Sequence, residues 1–153
     1  MPELEYSAQT AAVRSVLATH GVRPALALLN DRTEYRYTAI YKLSGDAMRA
    51  EHVFDRNSEY RTWLKAVPLD KSFCKHAMEQ GEFLTGHVSK DEALMSYRPY
   101  VGLVESYYGR LLTRECGTPY GTFIHFDLEP RSIAATEISF LQEVTPLFLD
   151  YLD

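Results

Sequence analysis

Two cysteines, five histidines and a large set of tyrosines are the residues of this 153-residue chain whose side chains could carry chemistry. Cys74 and His76 stand in the segment Pro68-Leu69-Asp70-Lys71-Ser72-Phe73-Cys74-Lys75-His76-Ala77. With Asp70 or Ser72 as N-cap and Gly81 as stop, the segment predicts a short helix over Asp70 to Gln80. Cys74 then lies in its first turn, where unpaired N–H groups and the helix dipole favour a thiolate. His76 is two positions on, and side chains at i and i+2 leave a helix in nearly opposite directions, so a Cys74–His76 dyad is geometrically poor. A small buried hydrophobe is the plainer reading of Cys74. The histidines, His20, His52, His76, His87 and His125, form no H-x-H or H-E-x-x-H pair, so a metal site would need assembly from distant elements. His52 is expected on an apolar strand face with Met48, Ala50 and Phe54, as a core histidine. There a neutral imidazole could also hydrogen-bond a ligand or hold haem iron. The carboxylate pairs Glu3/Glu5 and Asp91/Glu92 read as solvated charge.

Composition removes several classes. With 16 Lys+Arg against 21 Asp+Glu the formal charge is −5, and no basic run exists to track a phosphate backbone, so nucleic acid is not an expected partner. No apolar stretch approaches the ~20 residues of a membrane span. Met1-Pro2-Glu3-Leu4-Glu5 lacks the basic-then-apolar order of a signal peptide, and two cysteines make no disulfide framework; a reducing, cytoplasmic setting is expected. The aromatic content is lopsided, with 11 Tyr and 7 Phe against 1 Trp, which points to a polar-lined interior because a buried tyrosine hydroxyl wants a partner.

The elements that must position these residues follow from periodicity. Ala8, Ala12, Val13, Val16 and Leu17 predict a helix over about 3–20, stopped by Gly21, and a second runs from Pro24 to the Asn30-Asp31 break. The period then drops to two. Tyr37–Leu43 and Met48–Asp55 predict an antiparallel hairpin about Ser44-Gly45-Asp46. Phe83–Val88 reads as a strand, and Lys90–Glu105 gives no clear pattern. Ser106–Arg114 and Tyr120–Leu128 predict a second hairpin through Cys116-Gly117-Thr118-Pro119. Ser132 is placed as the cap of a long final helix, with a kink or early break at Pro146. The order gives one α+β domain over 1–153, with a mainly antiparallel sheet covered by helices.

Three segments resemble one family. Pro68-Leu69-Asp70-Lys71-Ser72-Phe73-Cys74-Lys75-His76-Ala77 is similar to the "P-L-x-x-S-F-C-x-H-A" segment of bacterial GAF sensor domains. Tyr107-Tyr108-Gly109-Arg110-Leu111-Leu112 resembles their "Y-x-G-x-P-L" strand. Gly121-Thr122-Phe123-Ile124-His125-Phe126-Asp127, with Pro130-Arg131 beyond, resembles their "G-T-L-C-x-x-D…P-R" strand and exit. The resemblance implies a PAS-related fold: a six-stranded antiparallel sheet, terminal helices on one face, and a ligand pocket with short helices on the other. It covers about residues 20–152 as the core of the domain, and it also implies a sensory role and a homodimer formed through the terminal helices. Where the family has apolar residues and Pro, this chain has Arg110, Leu111 and His125. If the second hairpin closes with Glu115 opposite Tyr120, Arg110 falls opposite His125, on one face with Tyr108, Leu112 and Phe123. Such a pair could floor a pocket for a carboxylate or phosphate.

By that resemblance and this polarity, the expected ligand wall draws on Phe54, Trp63, Phe73, Cys74, His76, Tyr97, Tyr108, Arg110 and His125. The expected partners are a small molecule, anionic or aromatic, and a signalling protein; the motifs specify no cofactor and no catalytic constellation. Bilin-binding relatives carry His directly after the pocket Cys, whereas Lys75 follows Cys74 here. The Asn-Lys…Phe…Asp-Glu signature of cyclic-nucleotide binders is missing. Free methionine sulfoxide reductases of this family use several cysteines that this chain does not have. A thiol redox enzyme using Cys74, and a dimerisation module without ligand, are the alternatives from other classes. The length fits one such unit with nothing left for an output domain.

Overall fold

The computed structural model describes residues 2–59, 65–95 and 104–152. Two helices open it, α1 (Pro2–His20) and α2 (Val22–Asn30), separated by Gly21 at a φ of 97° that disfavours any residue with a Cβ. The hairpin β1 (Tyr37–Ser44) and β2 (Ala47–Asp55) follows, then a short edge strand β3 (Ala66–Pro68) and a 3₁₀ turn at Leu69–Lys71. Helix α3 (Cys74–Gln80) ends on left-handed Gly81 and leads into β4 (Glu82–Thr85). A 3₁₀ turn at Val88–Lys90 and α4 (Glu92–Met95) precede the hairpin β5 (Ser106–Thr113) and β6 (Pro119–Asp127). The chain closes with α5 (Ala135–Val144) and a 3₁₀ segment, Thr145–Tyr151. Among the described residues the six strands form one sheet in the order β3-β2-β1-β6-β5-β4, antiparallel at every pairing. This is the expected α+β architecture, and β1 and β6 at its centre join the two hairpins. Gly121 permits that join: a Cβ there would overlap the Tyr41 carbonyl of β1.

The sheet divides the interior into two cores. On one face Val13 and Leu17 of α1, Leu26 and Leu29 of α2, and Phe140, Leu141, Val144 and Phe148 at the C-terminal end pack on Tyr35, Ile40, Tyr108, Leu112 and Phe123. On the other, Phe73, Cys74, Val88 and Leu94 pack on Tyr37, Ala39, Tyr41, Met48, Tyr107, Ile124 and Phe126. Full burial of a single Phe contributes about 2–3 kcal/mol, so apolar burial is a large part of what holds the helices on each layer.

Several expectations change in detail. The second hairpin closes with Thr113 opposite Pro119, and the Arg114 N–H donates to the Thr118 carbonyl at 2.9 Å. Arg110 therefore pairs with Phe123, and Tyr108 pairs with His125, in place of an Arg110–His125 pair. The displacement is two residues, so the side chains keep their faces. A bulge between Ile40 and Tyr41 sets Ile40 against His52 and Tyr41 against Ala50. His52 and Phe54 thereby turn to the terminal-helix face, while Met48 and Ala50 stay on the other. Ser132 does not cap the last helix. Ala134 precedes α5 in extended conformation, and the helix ends two residues before Pro146, which sits in the first turn of the 3₁₀ segment.

Candidate functional site

The face away from the terminal helices carries the candidate site. Ser72 accepts the Cys74 N–H at 3.0 Å, an ST-type bond that starts α3 and points Cys74 at the sheet. Cys74 is 2% exposed. The Tyr107 hydroxyl of β5 donates to its sulfur at 3.2 Å, and Thr122 Oγ1 of β6 lies 3.2 Å from the same sulfur, with either group able to donate. Gly109 makes this geometry possible: a Cβ there would collide with the Tyr107 ring, which lies along β5 over the bare glycine. Burial, and then the neighbouring Cys74, push the hydroxyls of Tyr107 and Tyr41 far above the ordinary phenol value, so both stay protonated donors. The Phe73 ring meets Tyr107 edge-on at 5.5 Å, and His76, on another side of α3, packs at 4.6 Å from Phe83. Among the described residues, the buried side chains of this face around Cys74 carry hydroxyl, thiol and hydrocarbon and no formal charge. Charge stands, among the same described residues, at its end, where the Arg36 guanidinium lies over Tyr37 and pairs with Asp55 at 2.9 Å.

The expected wall is split between the two faces. Phe73, Cys74 and His76 belong to this side; Phe54, Tyr108, Arg110 and His125 belong to the terminal-helix side. Trp63 and Tyr97 lie outside the described residues. Arg110 is engaged inside the protein. Its Nη1 donates to Glu82 Oε2 at 2.6 Å, an oxygen that also accepts from Tyr108 at 2.8 Å and from Gln142 of α5 at 3.2 Å. Burial alone would raise the Glu82 carboxyl, but these three donors hold it below the usual carboxylate range. His125 is fully buried, with Thr38 Oγ1 2.7 Å from its Nδ1 and the Tyr35 ring stacked at 5.4 Å. Asn30 Nδ2 donates to Thr38 Oγ1 at 2.9 Å, and between Thr38 and the imidazole the donor is set by the tautomer. Burial first, and then Arg56, bring the His125 pKa down to about 3.

Tyr37, Tyr41, Tyr107 and Thr122 belong to the site face and were not among the residues expected there. Their signal was present in the strand alternation. Tyr107 and Tyr108 must point oppositely, and Thr122 has opposite parity to Phe123 and His125. What alternation does not state is which parity faces the helices. Among the described residues no group of three His, Cys, Asp or Glu is placed to hold a metal, and no helix is long and apolar enough to cross a membrane.

No protein-family model matches the sequence, and no curated protein matches it. Solved structures do. The free methionine-R-sulfoxide reductase of Neisseria meningitidis, determined with its substrate, aligns at a TM-score of 0.74 and 14% identity over 95% of this chain and 87% of that one. The GAF domain of an Acinetobacter phosphoenolpyruvate-protein phosphotransferase aligns at 0.72 and 12% identity, covering 95% of this chain and 90% of that one. A phycocyanobilin-bound GAF domain from a cyanobacterial phytochrome aligns at 0.69 and 14% identity, covering 98% and 93%. This chain has the GAF-domain fold. Those three proteins put one fold to different uses, so the fold leaves the activity open.

Proposed function

We propose that this is a sensory GAF domain that binds a small molecule, through an uncharged or aromatic part, against the face carrying Tyr41, Tyr107, Thr122 and Cys74. The observation that carries the reading is the convergence of two hydroxyls on the Cys74 thiol, on the face away from the terminal helices. Hydroxyl and thiol groups are donors and acceptors at once, so they can pass from one another to a ligand without stranding a charge. On the opposite face Arg110 Nη1 is bonded to Glu82 and His125 Nδ1 lies against Thr38, while Arg110 Nε and His125 Nε2 are buried without a hydrogen-bond partner among the described residues. An anion floor at Arg110 would have to break that pair first. Native mass spectrometry of freshly purified protein, with denaturation to identify what is released, tests the reading together with thermal-shift screens of neutral and anionic aromatic metabolites. Tyr107→Phe and Thr122→Val should each weaken binding about tenfold, the worth of one hydrogen bond, while Arg110→Ala leaves it unchanged. Binding that vanishes in Arg110→Ala and survives both other changes would sink it.

A thiol redox enzyme is the second reading, favoured by the Tyr107 hydroxyl bonded to sulfur, since such a bond strengthens when the sulfur is a thiolate. Reduction of a sulfoxide would leave a sulfenic acid on Cys74 that a second thiol must resolve. Cys116 is exposed in the β5–β6 turn, separated from Thr122 by roughly 10 Å of strand, so the resolving thiol would come from solution. Turnover of free methionine sulfoxide with dithiothreitol, abolished by Cys74→Ala, would establish this reading; no turnover removes it.

A further inference from the structure

We propose that Glu82 couples the Cys74 side of the sheet to the terminal helix α5, so that the state of the site sets how firmly α5 is held. The inference rests on the reading of that face as a ligand site. The connection is short and crosses the sheet. α3 lies on the site face and carries Cys74; Gly81, at a φ of 86°, turns the chain directly into β4. The Gly81 carbonyl accepts the Leu111 N–H at 2.9 Å, which ties the turn to β5. One residue later Glu82 stands opposite Arg110 and sends its carboxylate through to the other face. There the single oxygen Oε2 holds Arg110 and Tyr108 of β5 and Gln142 of α5. A shift of α3 on ligand entry reaches Glu82 through one glycine, and Glu82 is bonded to the helix.

The other flank of α5 is anchored independently. Arg32 binds Glu137 through two nitrogens, at 2.9 and 2.8 Å, and its guanidinium lies 4.0 Å over the Phe140 ring. Glu137 and Gln142 are five residues apart, about 140° around the helix, so the two anchors grip opposite sides. The Arg32 anchor joins α5 to the loop after α2 and takes no input from α3. The Glu82 anchor is the one connected to the site. Making or breaking the Glu82–Gln142 bond is the two-state element a ligand would bias.

The test uses the whole chain in a Cys116→Ser background. Methyl methanethiosulfonate serves as a small occupant of the site. The Cys74 thiolate attacks its sulfenyl sulfur, a methyl disulfide forms and methanesulfinate leaves with the bonding pair; intact mass confirms labelling. Amide exchange over residues 135–144 is then compared with and without the label. Labelling should change that exchange by at least about fivefold in the parent and by less than about twofold in Gln142→Ala, with Glu82→Gln behaving like Gln142→Ala. Gln142 is exposed, so its replacement leaves the Glu82–Arg110–Tyr108 group and the fold intact. Unchanged exchange in the labelled parent overturns the coupling, and so does an undiminished response in Gln142→Ala. Failure to find a natural ligand would count against the sensory reading and leave this measurement standing, because the label occupies the site in its place.

Discussion

Burying an imidazole beside a guanidinium disfavours its charged form twice, by desolvation and by repulsion, and both act on His125. Its folded pKa of about 3 lies below the unfolded value of 6.5, so the unfolded chain binds the proton first. The stability that follows is complete above pH 6.5 and is lost progressively as pH falls from there toward 3. Urea unfolding of wild type should weaken across that window, and His125→Phe should flatten the slope while lowering stability at pH 7 through the lost Thr38 bond. A wild-type slope that persists in the variant assigns the acid sensitivity elsewhere. The two thiols make a second residue-scale contrast. Cys74 is enclosed and Cys116 is exposed in its turn, where hydrogen bonding with Thr118, and then the charge of nearby Arg114, lower its pKa. N-ethylmaleimide should label Cys116 about 100-fold faster, since Cys74 reacts only when α3 opens. Equal rates would mean that α3 does not seal the site.

Two glycines decide how strands carry these residues. At Gly109 the missing Cβ is the space the Tyr107 ring fills, and at Gly121 it is the space between β6 and the β1 carbonyl. Gly109→Ala should lift Tyr107 off β5, break its bond to Cys74 and cost about 1–3 kcal/mol. Its signature is a faster Cys74 alkylation with near-normal circular dichroism. In Gly121→Ala the obstacle is backbone, which cannot rotate away, so a larger loss than at Gly109 is expected in denaturant melts. A milder effect at Gly121 than at Gly109 would contradict the register of β1 on β6. The β1–β2 bulge belongs to this scale too. Alternation reads Met48 through Phe54 as one face, and the extra residue at the bulge moves Phe54 and His52 to the other.

At the scale of the molecule the two cores are separable. Phe148 is fully buried on the helix side, and its truncation to Ala should cost about 3–5 kcal/mol, read in thermal or denaturant unfolding. Because Cys74 sits on the far side of the sheet, Phe148→Ala should leave the ratio of Cys74 to Cys116 alkylation unaltered under strongly native conditions. A large rise would show that the layers open together.

Much of this was legible in the chain itself. Gly21 and Gly81 as helix stops, the period-2 runs of both hairpins and the order of elements are local properties, governed by backbone freedom and alternation, and the α+β sheet follows from them. The membership of a face was equally readable, though not the pairing: Tyr108, Arg110, Leu112, Phe123 and His125 do share one, with Arg110 opposite Phe123 and not His125. Their neighbourhood was not. A strand pattern says which residues point together and is indifferent to what covers them; that depends on helices more than a hundred residues apart, α1 and α5, meeting on one side of the sheet. Once they meet there, Arg110 and His125 become parts of the helix seam, and Tyr107, Thr122 and Cys74 are left together on the other face. The sequence by itself determined the elements and the two sets of side chains, because periodicity is local. Only the tertiary structure decided which set packs against the terminal helices and which set faces α3, because that choice is made by packing across the sheet.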